Sequence, residues 1–167
     1  MGNHPWFLSW LSYMPHILPG GDVMIIPSSQ LEAMAVLKGK GNLRGTVKFY
    51  SIPGGSLVAV EVVGLPETEK GFFALHIHEG SSCDGKDFEK SLGHYNPEHT
   101  DHPKHAGDLP PLLNMGGRAF LAVETDRFFV EDVVEHTAVL HSQPDDFRTQ
   151  PAGNSGEKIA CGVIRWI

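Results

Sequence analysis

Basic residues are scarce in this chain of 167 residues: 13 Lys and Arg stand against 20 Asp and Glu, for a net charge of −7. That balance speaks against nucleic acid as a partner, because phosphate backbones select clustered Lys and Arg. It also means that an anionic substrate would be repelled by the molecule as a whole. Long apolar runs are missing too. No stretch approaches the roughly 18 apolar residues of a membrane-spanning helix, so no membrane span is expected. Cysteine is limited to Cys83 and Cys161. Neither belongs to a C-x-x-C pair, which excludes a zinc ribbon or a thioredoxin-type redox motif. Counting alone leaves two buried thiols and one disulfide as equal alternatives. The first Lys or Arg is Lys38, so the basic n-region of a secretory signal is absent. That favours the cytoplasm, whereas a disulfide would suit an extracytoplasmic location.

What is present is ordinary in bulk and unusual in detail. Hydrophobic content of 41% and charged content of 20% suit one globular domain with a short appendage. Residues 1–31 read as an N-terminal extension, with an aromatic and aliphatic patch (Trp6, Phe7, Leu8, Trp10, Leu11, Tyr13) cut by Pro5, Pro15 and Pro19. Three readings of it stay open: a poorly ordered or surface-packed tail, an amphipathic anchor or dimer contact, and a later translation start at Met24 or Met34. From Glu32 to the end, short β-branched runs alternate with turn residues. Ala35–Leu37, Gly45–Tyr50, Leu57–Val63, Phe72–His78, Ala119–Val123, Thr137–His141 and Ile159–Ile164 are the expected strands. About eight such strands predict an all-β, antiparallel Greek-key barrel or sandwich. Two segments, near Glu79–Gly117 and Ser142–Lys158, are too long for hairpins, and loops of that length are usually functional.

Histidine is over-represented. Ten are present, and six fall between His76 and His105. In a strand reading Leu75-His76-Ile77-His78, the two histidines share one face while Phe73, Leu75 and Ile77 face the core. His94, His102, His105 and Asp108 form an N3O set suited to a closed tetrahedral zinc site. Prolines 97, 103, 110 and 111 lower the entropy their loop loses on ordering. His141 ends a later strand, and Asp145 follows it. His76, His78, His94 and His141 give four imidazoles, a set that suits Cu(II). His94 then serves twice, as a deprotonated imidazolate can.

The segments Phe73–Glu79, Gly93–Pro97, His105–Leu109, Gly153–Gly156 and Ile159–Ile164 resemble, in order, the motifs of the copper/zinc superoxide dismutase family. The resemblance covers the chain from about Glu32 onward. It implies copper on His76, His78, His94 and His141, and zinc on His94, His102, His105 and Asp108. It further implies a Cys83–Cys161 disulfide and a carboxylate, Asp145, linking ligands of the two metals. The implied activity is dismutation of superoxide to O2 and H2O2 by alternate reduction and oxidation of copper, with His94 passing a proton to the product. Lys158 stands where the family usually has the Arg that steers superoxide, and Ala152 where many relatives carry a hydroxyl; Arg148 and Lys104 are further candidates for steering. The loops bearing the zinc and steering residues are shorter than in many relatives. This leaves the second zinc ligand between His99 and His102, with His102 preferred because His94-x7-His102 keeps the family's interval. A homodimer is a further implication, without a designated surface. The alternative function is a dismutase-like copper-binding or copper-delivery protein without turnover; relatives of that kind often lack a copper ligand, and none is missing here.

Overall fold

Strand formation follows the period-2 pattern of the sequence. Ala33, Ala35 and Leu37 in β3 (Leu31–Gly39), Val47 and Phe49 in β4 (Arg44–Ile52), and Val58, Val60 and Val62 in β5 (Gly55–Val63) are all buried, while alternate residues face out. The computed structural model describes residues 31–167, together with the backbone pairing of two short strands, β1 (His16–Ile17) and β2 (Val23–Met24). Apart from those strands and Leu31, the expected N-terminal extension and its aromatic patch lie outside the described residues.

The remaining strands are β6 (Phe72–Phe73), β7 (Leu75–His78), β8 (Leu112–Leu113), β9 (Arg118–Thr125), β10 (Thr137–His141) and β11 (Lys158–Trp166). Seven strands form one antiparallel, curled sheet in the order β7-β10-β11-β3-β4-β5-β9. The last strand therefore lies against the first strand of the barrel, with Ile164 opposite Ala35. Phe73, Leu75, Ile77, Ala138, Leu140 and Ile164 join the β3–β5 residues in a single core. Each fully buried Leu, Ile or Phe side chain contributes about 1.5–3 kcal/mol. The fold is the expected all-β barrel. The short helix α1 (Val130–Val133), a 3-10 turn at Lys86–Ser91 and the two-residue strand β8 lie in its connections.

Two features position the histidine-rich loop 79–117. The outer edge of β7 is sealed by residues 93–108: Tyr95 N–H donates to Ile77 O (2.8 Å), Ile77 N–H to Gly107 O (2.9 Å) and Glu79 N–H to Gly93 O (2.9 Å). Short β-bridges pair His78 with His94 and His76 with Asp108. The second feature is the Cys83–Cys161 disulfide, which ties the loop to β11 across 78 residues of sequence.

Candidate metal centre

Strand alternation puts Leu75 and Ile77 in the core and turns His76 and His78 to the other face. That face is not open to solvent, because the two long loops cover it and both histidines are buried. His141, at the end of β10, comes alongside through the β7–β10 pairing. His94 arrives from the loop sealing β7. One ring atom from each of His76, His78, His94 and His141 lies within 4.8 Å of the others, and so do donor atoms of His94, His102, His105 and Asp108. His94 belongs to both groups. His99 belongs to neither; it is exposed, with φ of 51°.

Which nitrogen of each ring is free follows from what holds the other one. His76 Nε2–H donates to Asp145 Oδ2 (2.9 Å), leaving His76 Nδ1 buried without a partner. His78 Nδ1–H donates to Leu92 O (2.9 Å), so its Nε2 faces His141 Nε2 at 3.1 Å. Two nitrogens at that distance call for a shared proton or a cation between them. His141 Nδ1 lies 3.4 Å from Gly156 O and 3.3 Å from Ser155 Oγ. His102 Nε2–H donates to Asp145 Oδ1 (2.9 Å), and its Nδ1, 3.0 Å from Asp108 Oδ2, is out of line for a hydrogen bond and has no partner. His105 Nδ1 sits 3.4 Å from both Asp108 Oδ2 and His94 Nδ1. His94 Nδ1 is 2.7 Å from Asp108 Oδ1, while His94 Nε2 is buried and unpaired on the other side. Three orphaned buried nitrogens pointing into two adjacent sets are what bound cations would satisfy.

Electrostatics agree with this reading. Burial holds His76 and His105 below the ordinary histidine range. Burial, reinforced by the neighbouring His141 and His94 rings, holds His78 well below it. Burial, with His76 and His94 nearby, brings His141 down to about 3. These rings are neutral near pH 7, with lone pairs available, as metal binding requires. Asp145 runs the other way. Burial pushes its carboxyl up, but hydrogen bonds from His76, the Phe147 amide and His102 outweigh that and bring it to about 2. Burial also opposes ionisation of Asp108, and its hydrogen bond with His94 prevails. Gly153, at φ 64°, packs directly on Asp145, so that an added Cβ would collide with Oδ1.

A cleft of about 640 Å³ opens onto His78, His94 and His141, with His99, Gln150, Ala152 and Lys158 along its walls. Lys158 is the one Lys or Arg among the described residues lining it; neither Arg148 nor Lys104 reaches the cleft. Lys158 Nζ donates to Ser91 Oγ and Leu92 O, each at 2.7 Å. Leu92 O is thus shared by Lys158 and His78. Burial lowers the Lys158 pKa from the ordinary lysine value. Sequence reasoning missed Leu92, Ser155 and Gln150. Gln150 grips His102 by both backbone groups, with His102 N–H donating to Oε1 (3.0 Å) and Nε2 donating to His102 O (2.7 Å). No local signal marks these residues, since two act through backbone carbonyls or small hydroxyls and the third lies 48 positions from its partner.

A family model described as copper/zinc superoxide dismutase (SODC) matches residues 43–164. The Cu-Zn superoxide dismutase 2 of Aquifex aeolicus is 32% identical over 166 residues, covering 87% of this chain and 95% of that protein. The Cu-Zn superoxide dismutase of Deinococcus radiodurans is 35% identical over 149 residues, covering 76% and 80% respectively. The copper chaperone for superoxide dismutase of Mus musculus is 31% identical over 155 residues; they span 82% of this chain but only 55% of the chaperone.

Proposed function

Because the chain belongs to the copper/zinc superoxide dismutase family, we propose that it is an enzyme that converts two superoxide anions and two protons into O2 and H2O2. In this reading His76 Nδ1 and the Nε2 atoms of His78, His94 and His141 would hold copper. The Nδ1 atoms of His94, His102 and His105, with Asp108, would hold zinc. Copper supplies one-electron redox chemistry that zinc, being d10, does not. The observation that carries the proposal is His94. Both of its nitrogens are directed at a metal set, one beside Asp108 and one orphaned toward the copper histidines. Its Nε2, buried and without a partner in the protein, is the atom at which a proton would be held or passed to the reduced product.

The protein's remaining work is positioning and attraction. Asp145, Leu92 O and Gly156 O fix the tautomers of His76, His78 and His141 by occupying the nitrogens that do not face the copper set. Lys158 offers a positive charge in the cleft wall of a molecule whose net charge is −7. It draws an anion toward that opening, as focused fields in clefts do. Unlike an Arg, it offers a point charge rather than a planar fork of donors, and two of its three N–H groups are already committed.

Consumption of superoxide by metal-reconstituted protein, measured beside His141→Ala, tests the reading. Activity that falls at least about 100-fold in the variant is expected. The similarity to copper chaperones favours a second reading, copper delivery without turnover. Stoichiometric copper and zinc with no superoxide consumption would select it.

A further inference from the structure

Arg127 lies just beyond β9, outside the lining of the copper cleft, in a separate groove with Asp108 and Pro103. Its backbone is anchored to the barrel. Arg127 N–H donates to Thr125 Oγ1 (3.2 Å), and the next residue, Phe128, is buried against Phe49 while Ser56 Oγ donates to Phe128 O. From that fixed base the guanidinium reaches into the loop. Arg127 Nη1 lies 3.1 Å from Pro103 O, 3.2 Å from His105 O and 3.4 Å from Asp108 O.

The choice of carbonyls is informative. Two belong to His105 and Asp108 themselves, and the third to the residue directly after His102. One nitrogen therefore gathers the backbone at or beside each of the three zinc-set residues between 102 and 108. A surface arginine at a random site meets water, whereas here three carbonyl dipoles curl around one N–H corner. Two further side-chain restraints, Gln150 on the His102 backbone and Asp145 on the His102 ring, come from the 142–158 loop, and β7 holds Gly107 through Ile77 N–H. Arg127 is the side chain that reaches this loop from the end of β9.

Resting on the zinc assignment proposed above, we infer that Arg127 is a positioning residue that holds the His102–Asp108 loop in its zinc-binding shape. It acts through the backbone and not by touching the metal. With the carbonyls gathered, His102, His105 and Asp108 keep their relative placement. Without Arg127 the metal must supply the share of the loop's ordering that these three contacts now provide, and that entropy weakens zinc binding. Of the four copper histidines, His76, His78 and His141 sit on or at the ends of strands and His94 is bridged to His78, so none of them leans on Arg127.

The test uses full-length protein loaded with copper and zinc, and follows metal release to a colorimetric chelator for the parent, Arg127→Ala, Arg127→Lys and His102→Ala. Zinc should leave Arg127→Ala about 10–100-fold faster, the range found when the partners that orient metal ligands are removed. Arg127→Lys should fall between parent and Ala, because an ammonium restores donors without the planar corner. Copper release and the melting temperature of the metal-free protein should stay at parent values. Unchanged zinc release in Arg127→Ala, with zinc lost from His102→Ala, would overturn the inference and leave the zinc assignment standing. Equal acceleration of copper and zinc with a lower metal-free melting temperature would overturn it by marking a general loosening. Zinc retained by His102→Ala would overturn the zinc assignment itself.

Discussion

Replacing Asp145 by Ala should weaken both metals without touching either, and zinc more than copper. Asp145 accepts from His76 Nε2–H and His102 Nε2–H, each at 2.9 Å, and all three side chains are fully shielded from solvent. In the metal-free variant each ring can turn or move its proton to Nδ1. Metal bound at Nδ1 forbids both and leaves a buried N–H facing a void. An unpaired buried donor costs about 1–3 kcal/mol, which converts to roughly 5- to 150-fold in affinity at each set. The two rings are not equally held by the rest of the protein. His76 stands on β7, whose backbone pairs with β10 at Val139, whereas His102 stands on a loop and depends on Gln150 and Asp145. Zinc should therefore lie near the upper end of the range and copper near the lower. Competition titrations with a chelator, one metal at a time, measure both constants. Copper affinity falling more than zinc affinity, or neither changing beyond two-fold, would refute the reasoning.

The metal-free protein should lose stability as pH falls below about 6.5. A histidine whose folded pKa is depressed, as for His141 at about 3, takes up protons in the unfolded chain first. Each such residue costs about 2 kcal/mol at pH 5; Asp145, at about 2, keeps its contribution throughout that window. Urea unfolding at pH 7.5 and pH 5 checks this, and equal stability at the two values would contradict it. Breaking the Cys83–Cys161 link with Cys83→Ala and Cys161→Ala should cost about 4–5 kcal/mol from the 78-residue loop it closes, read as a shift in the denaturation midpoint. Lys158→Met should lower kcat/KM for superoxide about 10-fold and flatten its dependence on ionic strength, with both metals retained; Lys158→Arg should restore the salt dependence. An unaltered salt slope in the Met variant would remove Lys158 from steering.

The sequence by itself determined the barrel and the roster of residues. Alternating apolar positions in 33–37, 47–49 and 58–62 encode strands because side-chain period and burial coincide along a single segment. Motif order brought His76, His78, His94 and His141 into one reading, and Cys83 with Cys161 into another that the disulfide bears out. The tertiary structure alone decided which atoms of those residues meet, even where the resemblance had named the partner, as for Asp145. The orienting partner of His76 lies 69 residues away in Asp145, and that of His78 is a backbone carbonyl 14 residues on. No local pattern can encode which ring nitrogen stays free when the partner comes from another loop. Between His99 and His102, three residues apart on one polar loop, the interval from His94 favoured His102, and the structure supplies the physical reason. His102 turns inward because Gln150 and Asp145 await it there, and His99 is left at the cleft's edge. Lys158 shows the division most clearly. Its charge is written in the chain, but Ser91 and Leu92, 67 and 66 residues away, fix where that charge sits.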